Sequence, residues 1–99
     1  MTRAHEKVAA GIRILATTDG SIQDRLTRAV GNEITRIDRE RDLPLDLRSV
    51  YADLLARVMG PSGVDAEAIA AMDASTASEI AVEILALQAE LRERTGRYT

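Results

Sequence analysis

The stretch Glu79-Ile80-Ala81-Val82-Glu83-Ile84-Leu85-Ala86-Leu87-Gln88-Ala89-Glu90-Leu91-Arg92 decides how the rest of the chain is read. At about 100° per residue, Ile80, Ile84, Leu87 and Leu91 share one helical face, with spacings of four, three and four. Val82, Leu85 and Ala89 form a second apolar face, well separated around the helix. Glu79, Glu83, Glu90, Glu93 and Arg97 collect in a narrow polar stripe. A helix apolar on two sides needs two partners, and the other helices of a small domain provide one of them. The second face predicts a homo-oligomer through the C-terminal helix, with Val82, Leu85, Gln88, Ala89 and Arg92 as the interface residues. Gln88 and Arg92 sit between the apolar faces, where a buried amide or guanidinium must find a hydrogen-bond partner. Gln88 is therefore the candidate for fixing register across a dimer seam; the plain alternative is that it faces water.

Working back from this helix, the chain reads as all-α, a small four- or five-helix bundle whose last helix is long or split near residue 74. A first helix spans about Ala4 to Ala16, with Val8, Ile12 and Leu15 at helical spacing, and stops at Thr17-Thr18-Asp19-Gly20. Ser21 reads as an N-cap with Asp24 three positions on, opening a helix striped by Ile22, Leu26, Val30, Ile34 and Ile37. Gly31-Asn32 within it predicts a kink or a break. Arg36 to Asp42 mixes signs, and pairs such as Asp38 with Arg41 would support a solvated helix end.

Leu43-Pro44-Leu45 ends that helix and Asp46 is placed to cap the next. Leu47, Val50, Tyr51, Leu54, Leu55 and Val58 follow as core positions, and Gly60-Pro61-Ser62-Gly63 is a stop. Asp65, flanked by Val64 and Ile69, is the next N-cap. Asp73-Ala74-Ser75 is a candidate break, because Thr76 and Glu79 form a capping box just before the apolar run.

Composition narrows the function. Ninety-nine residues make one domain, 1–99, with 45% hydrophobic residues but only Tyr51 and Tyr98 as aromatics. Without Trp or Phe there is no platform for stacking bases, sugars or flavins, and no cofactor is expected. The absence of cysteine removes thiol nucleophiles, disulfide scaffolds and cysteine-ligated zinc. Val8 to Leu15 is too short for a signal-peptide core and is interrupted by Gly11 and Arg13. Ile80 to Ala89, broken by Glu83 and Gln88, falls short of the ~20 residues of a membrane span. These features predict a cytoplasmic protein with no membrane association.

Charge is uneven. Residues 1–64 carry ten Lys/Arg and nine Asp/Glu, whereas residues 65–99 carry three and seven, giving +1 and −4. The acidic C-terminal part reads as a solvated face or as a docking surface for a basic protein partner. From Arg57 to Arg92 there is no Lys or Arg between them, so nucleic acid is not the expected partner of this region. The competing reading is a helix-turn-helix DNA-binding regulator over residues 65–87, built from Asp65 to Met72, a turn at Asp73 to Ser75, and Thr76 to Leu87. Glu79 and Glu83 would then face phosphates, and Ser75 stands where that motif carries an apolar residue. Arg25, Arg28, Arg36, Arg39 and Arg41 are the alternative basic surface, interspersed with acids.

Catalytic chemistry is not expected. His5 is the only histidine, so no serine has a base from a second one and no metal gains a second imidazole. Gly60-Pro61-Ser62-Gly63 lacks the lysine of a phosphate-binding loop. Asp38, Glu40 and Asp42 alternate with Arg39 and Arg41 and read as ion-paired rather than metal-binding. The expectation is a non-catalytic interaction or assembly module; a small assembly component of a phage or mobile element has the same physical description.

Overall fold

Nearly every helix boundary in the protein has a local chemical cause, seen in a computed structural model that describes the backbone of residues 2–97 and the side chains of residues 4–94. Helix α1 (Thr2–Thr17) ends where Thr17 Oγ1 donates back to the Arg13 carbonyl at 2.7 Å. The chain then turns at Gly20, whose φ of +116° suits a residue without a Cβ. Helix α2 (Ile22–Asn32) opens on Ser21, whose hydroxyl accepts from the Asp24 N–H at 3.0 Å. It stops at Gly31-Asn32, so the weak spot in helix propensity becomes a break, and a 3-10 turn (Ile34–Arg36) brings Ile34 and Ile37 into the core.

The mixed-charge segment is not the solvated end of α2. It is a separate turn of helix, α3 (Arg39–Asp42), capped by Asp38. Asp38 Oδ1 accepts from the Glu40 and Arg41 N–H groups, both at 3.1 Å, so its partner is the Arg41 backbone. Asp42 is buried, and its Oδ2 accepts from the Asp38 N–H at 3.1 Å.

Helix α4 (Leu45–Ala56) begins two residues earlier than a cap at Asp46 would allow. Pro44 occupies the cap position without a side-chain bond, and Asp46 lies in the first turn, ion-paired to Arg94. Leu47, Tyr51, Leu54 and Val58 are buried along one line. Val50 does not join them: it lies about 70° round from that line and is 45% exposed. Residues 59–64 form a minimal hairpin, β1 (Met59–Gly60) against β2 (Gly63–Val64), joined by Pro61-Ser62. Gly63, at φ +121°, takes the conformation that this turn requires.

Helix α5 (Ala66–Ala71) opens on Asp65, whose Oδ1 accepts from the Ala68 N–H at 3.0 Å, and it drops Ile69 into the core. The break before the last helix falls at Met72-Asp73. Asp73, rather than Thr76, caps α6 (Ala74–Arg97), accepting from the Thr76 N–H at 2.7 Å. That backbone hydrogen bond, with a further one from the Thr76 side chain, lowers the Asp73 carboxyl below its ordinary range.

The protein is thus a small helical bundle in which α6 packs against α1, α2 and α4. Val8, Leu26, Val30, Ile34, Leu54, Ile69, Ile80, Ile84, Leu87 and Leu91 are almost fully enclosed and fill the centre. Close approach of α1 to the 3-10 turn needs Gly11, because a Cβ there would stand 2.9 Å from Ile34 Cδ1. Tyr51 closes the same region, its hydroxyl donating to the Ile34 carbonyl at 2.8 Å and lying 3.3 Å from that of Ile37. Burial pushes its phenol up to about 12, opposed in part by the charge of Arg39.

Candidate interaction surface

Helix α6 carries the two faces that its sequence pattern implies. Ile80, Ile84, Leu87 and Leu91 are buried against α1, α2 and α4. On the other flank Val82 is 60% exposed and Leu85 49% exposed, with Ala89 and Arg92 exposed beside them. Ser78, Val82, Leu85, Ala89 and Arg92 recur at intervals of four, three, four and three, a continuous strip along the helix. Among the described residues, none covers Val82 or Leu85 beyond this partial burial.

Gln88 sits apart from the rest of that set. It is half-buried at the seam with α1, and its Nε2 lies 3.1 Å from Nε2 of His5. With that imidazole nitrogen accepting, the amide donates one hydrogen bond. Its Oε1 is closed off from solvent and has no hydrogen-bond partner among the described residues. The amide is therefore engaged within the protomer, by the one histidine of the chain. Sequence reasoning missed this pair because the two residues are 83 positions apart and neither carries a local signal for the other. Ala9, Ile12, Leu85, Gln88, Ala89 and Arg92 line a shallow groove of about 310 Å³ between α1 and α6.

On its opposite edge the strip borders α4. A second groove, of about 370 Å³, runs between α4 and α6, with Val50, Ala86 and Leu87 on its apolar walls. The acidic stripe of α6 meets cations here. Arg57 pairs with Glu83 and lies 3.8 Å from Glu79, while Arg94 pairs with Asp46 and, at 2.7 Å, with Glu90. The hydrogen bond to Glu90 is the main reason that the Arg94 guanidinium is held even more firmly in its charged form.

The first turns of α6, where a recognition helix would approach phosphates, present Ser75, Ser78, Glu79, Val82 and Glu83 around an open depression. The turn before it is two residues, Met72-Asp73, tied to α2 by Gln23 Nε2 donating to the Met72 carbonyl at 2.9 Å. Of the alternative basic surface, Arg28, Arg36, Arg39 and Arg41 are exposed, while Arg25 is turned inward to donate to the Leu15 carbonyl at 2.9 Å. Among the described residues, no group of three or more His, Asp or Glu side chains is placed to hold a metal ion. Nor is any described helix long and apolar enough to cross a membrane. No protein-family model, curated protein or solved structure matches this chain.

Proposed function

We propose that this protein is a non-catalytic helical interaction module that assembles with copies of itself through the exposed flank of α6. The observation that carries the reading is the exposure of Val82 and Leu85, at 60% and 49%, on a helix whose opposite apolar face is completely buried. Full burial of a Val or Leu side chain stabilises by about 1.5–3 kcal/mol, so covering what remains exposed contributes roughly 1 kcal/mol for each. In a symmetric pair both residues count twice, giving about 4 kcal/mol before Ile12, Ala86, Ala89 and Val50 add theirs. Association entropy opposes this gain, so a reversible complex is expected rather than an obligate one.

The distribution of charge favours a like partner over a basic one. Glu79, Glu83, Glu90 and Asp46 already face Arg57 and Arg94 of their own chain, which leaves less carboxylate charge to attract a foreign cationic surface. The absence of Lys and Arg between Arg57 and Arg92 likewise argues against nucleic acid on this flank. His5 on α1 is engaged by Gln88 of α6, which supports reading the module as non-catalytic.

Light scattering on the purified protein and on Leu85→Glu and Val82→Glu tests the proposal. At high concentration the unaltered chain should approach twice the protomer mass, and both variants, with helix content retained, should stay at the protomer mass. If neither substitution moves the mass, this flank is not the interface.

A further inference from the structure

We infer that the partner on the α6 flank is a second copy lying antiparallel to the first, with a two-fold axis crossing between Val82 and Leu85. This rests on the self-association reading above and adds the orientation and register of the pair. Along the exposed strip the residues run Ser78, Val82, Leu85, Ala89: small, large, large, small. That order of sizes is the same in both directions. Laid against a reversed copy with the axis at its centre, each Val82 packs on the partner's Leu85 and each Ser78 meets the partner's Ala89. The small residues at the outer positions let the two helix axes converge.

Charge selects the same arrangement. A parallel pair would stack Arg92 on the partner's Arg92 within the seam and set two helix dipoles side by side with like ends together. The antiparallel pair moves Arg92 against the partner's Ser75 and sets Glu79 level with the partner's Gln88, so neither charge meets its own copy across the strip. The remaining carboxylates along the α4 edge, Glu83 and Glu90, are neutralised by Arg57 and Arg94 and do not oppose approach.

Area is sufficient as well. The axis lies near the middle of α6, so residues 74–93 of the two copies overlap over about 30 Å of helix. Neighbouring helices stand about 8–10 Å away on each side. A footprint about 30 Å long and about 25 Å wide would reach the grooves that hold Ile12 on α1 and Val50 on α4. It covers about 750 Å², close to the ~800 Å² per partner of a standard interface.

The chain has no cysteine, so introduced cysteines report directly on register. Val82→Cys, next to the axis, should form a disulfide-linked dimer by itself on mild oxidation. Ser78→Cys and Ala89→Cys should each stay largely unlinked, because copies of the same site lie about 16 Å apart along the helix, beyond the ~7 Å that a disulfide can bridge. The double variant Ser78→Cys/Ala89→Cys should link almost completely. If instead each single variant links to its own copy, the pair is parallel: the orientation is overturned while self-association stands. If no variant links although the unaltered protein is dimeric, the seam lies elsewhere and the inferred register is overturned. A chain that stays monomeric at every concentration overturns this inference together with the functional reading it rests on.

Discussion

Replacing Gln88 by leucine should make the protein more stable, although it deletes a hydrogen bond. Gln88 Oε1 is cut off from water without a partner among the described residues, while Nε2 is 3.1 Å from His5 Nε2. Rotating the amide exchanges which end is orphaned and satisfies neither arrangement fully, because a single imidazole nitrogen faces it. An unpaired buried polar group costs about 1–3 kcal/mol, whereas an ordinary hydrogen bond contributes about 0.5–1.5 kcal/mol. Leucine has nearly the same bulk and no polar atom to strand, and half-buried His5 can return to water. The balance is a gain of about 1 kcal/mol, which for a domain of this size raises the melting temperature by about 4–8 °C. Urea and thermal unfolding followed by far-UV circular dichroism would measure it, repeated at two protein concentrations to separate folding from association. A loss of about 1 kcal/mol or more would refute the reasoning, since it would mean that the carbonyl end has a partner and the pair holds α1 to α6.

Further outcomes at Tyr51, at two glycines and at Asp65 follow from the fold. Tyr51→Phe should cost about 1 kcal/mol at neutral pH by removing the hydroxyl that serves Ile34 and Ile37. The same residue sets an alkaline limit: its phenol titrates near 10 when unfolded and at about 12 when folded, so its contribution is complete below pH 10 and is lost as pH rises towards 12. That loss, worth about 2–3 kcal/mol for two pH units, should be absent in Tyr51→Phe when unfolding is measured across this window. Gly31→Ala should stabilise by up to about 1 kcal/mol, because the new Cβ would meet only Val64 Cγ2, at 3.7 Å, whereas Gly11→Ala should fail to give that gain against Ile34 at 2.9 Å. Asp65→Ala should cost about 1 kcal/mol and, by amide hydrogen exchange, loosen α5 before α6, since it removes the acceptor for the Ala68 N–H.

Much of the fold was legible because it is decided by neighbours in sequence. Ser21, Asp65 and the apolar run Ile80, Ile84, Leu87 and Leu91 each act within a few residues, and each is found where periodicity and capping chemistry place it. Errors arose where two local solutions compete. Asp73 and Thr76 can both cap a helix, and it is Asp73 that accepts the Thr76 N–H; Asp46, which could cap α4, lies in its first turn instead and pairs with Arg94. Val50 was misplaced because its helical position borders the buried line, and only the packing of α4 on α6 decides which edge stays wet.

The surface was half legible. Its apolar residues follow from periodicity, but the inward turn of Gln88 depends on α1 bringing His5 to it across the whole chain. Nor is the internal pairing of the acidic stripe visible from residue counts, since Arg57 and Arg94 reach it from α4's end and from the last turns of α6.

The central claim is that the Val82/Leu85 flank of α6 is covered by another copy of the chain. Sedimentation equilibrium of the unaltered protein from about 1 μM to about 1 mM spans the affinities at issue. The account predicts a mass that rises from one protomer towards two as concentration increases, with Leu85→Glu holding at one protomer over the same range. A mass of 10.8 kDa at every concentration for the unaltered chain would contradict it.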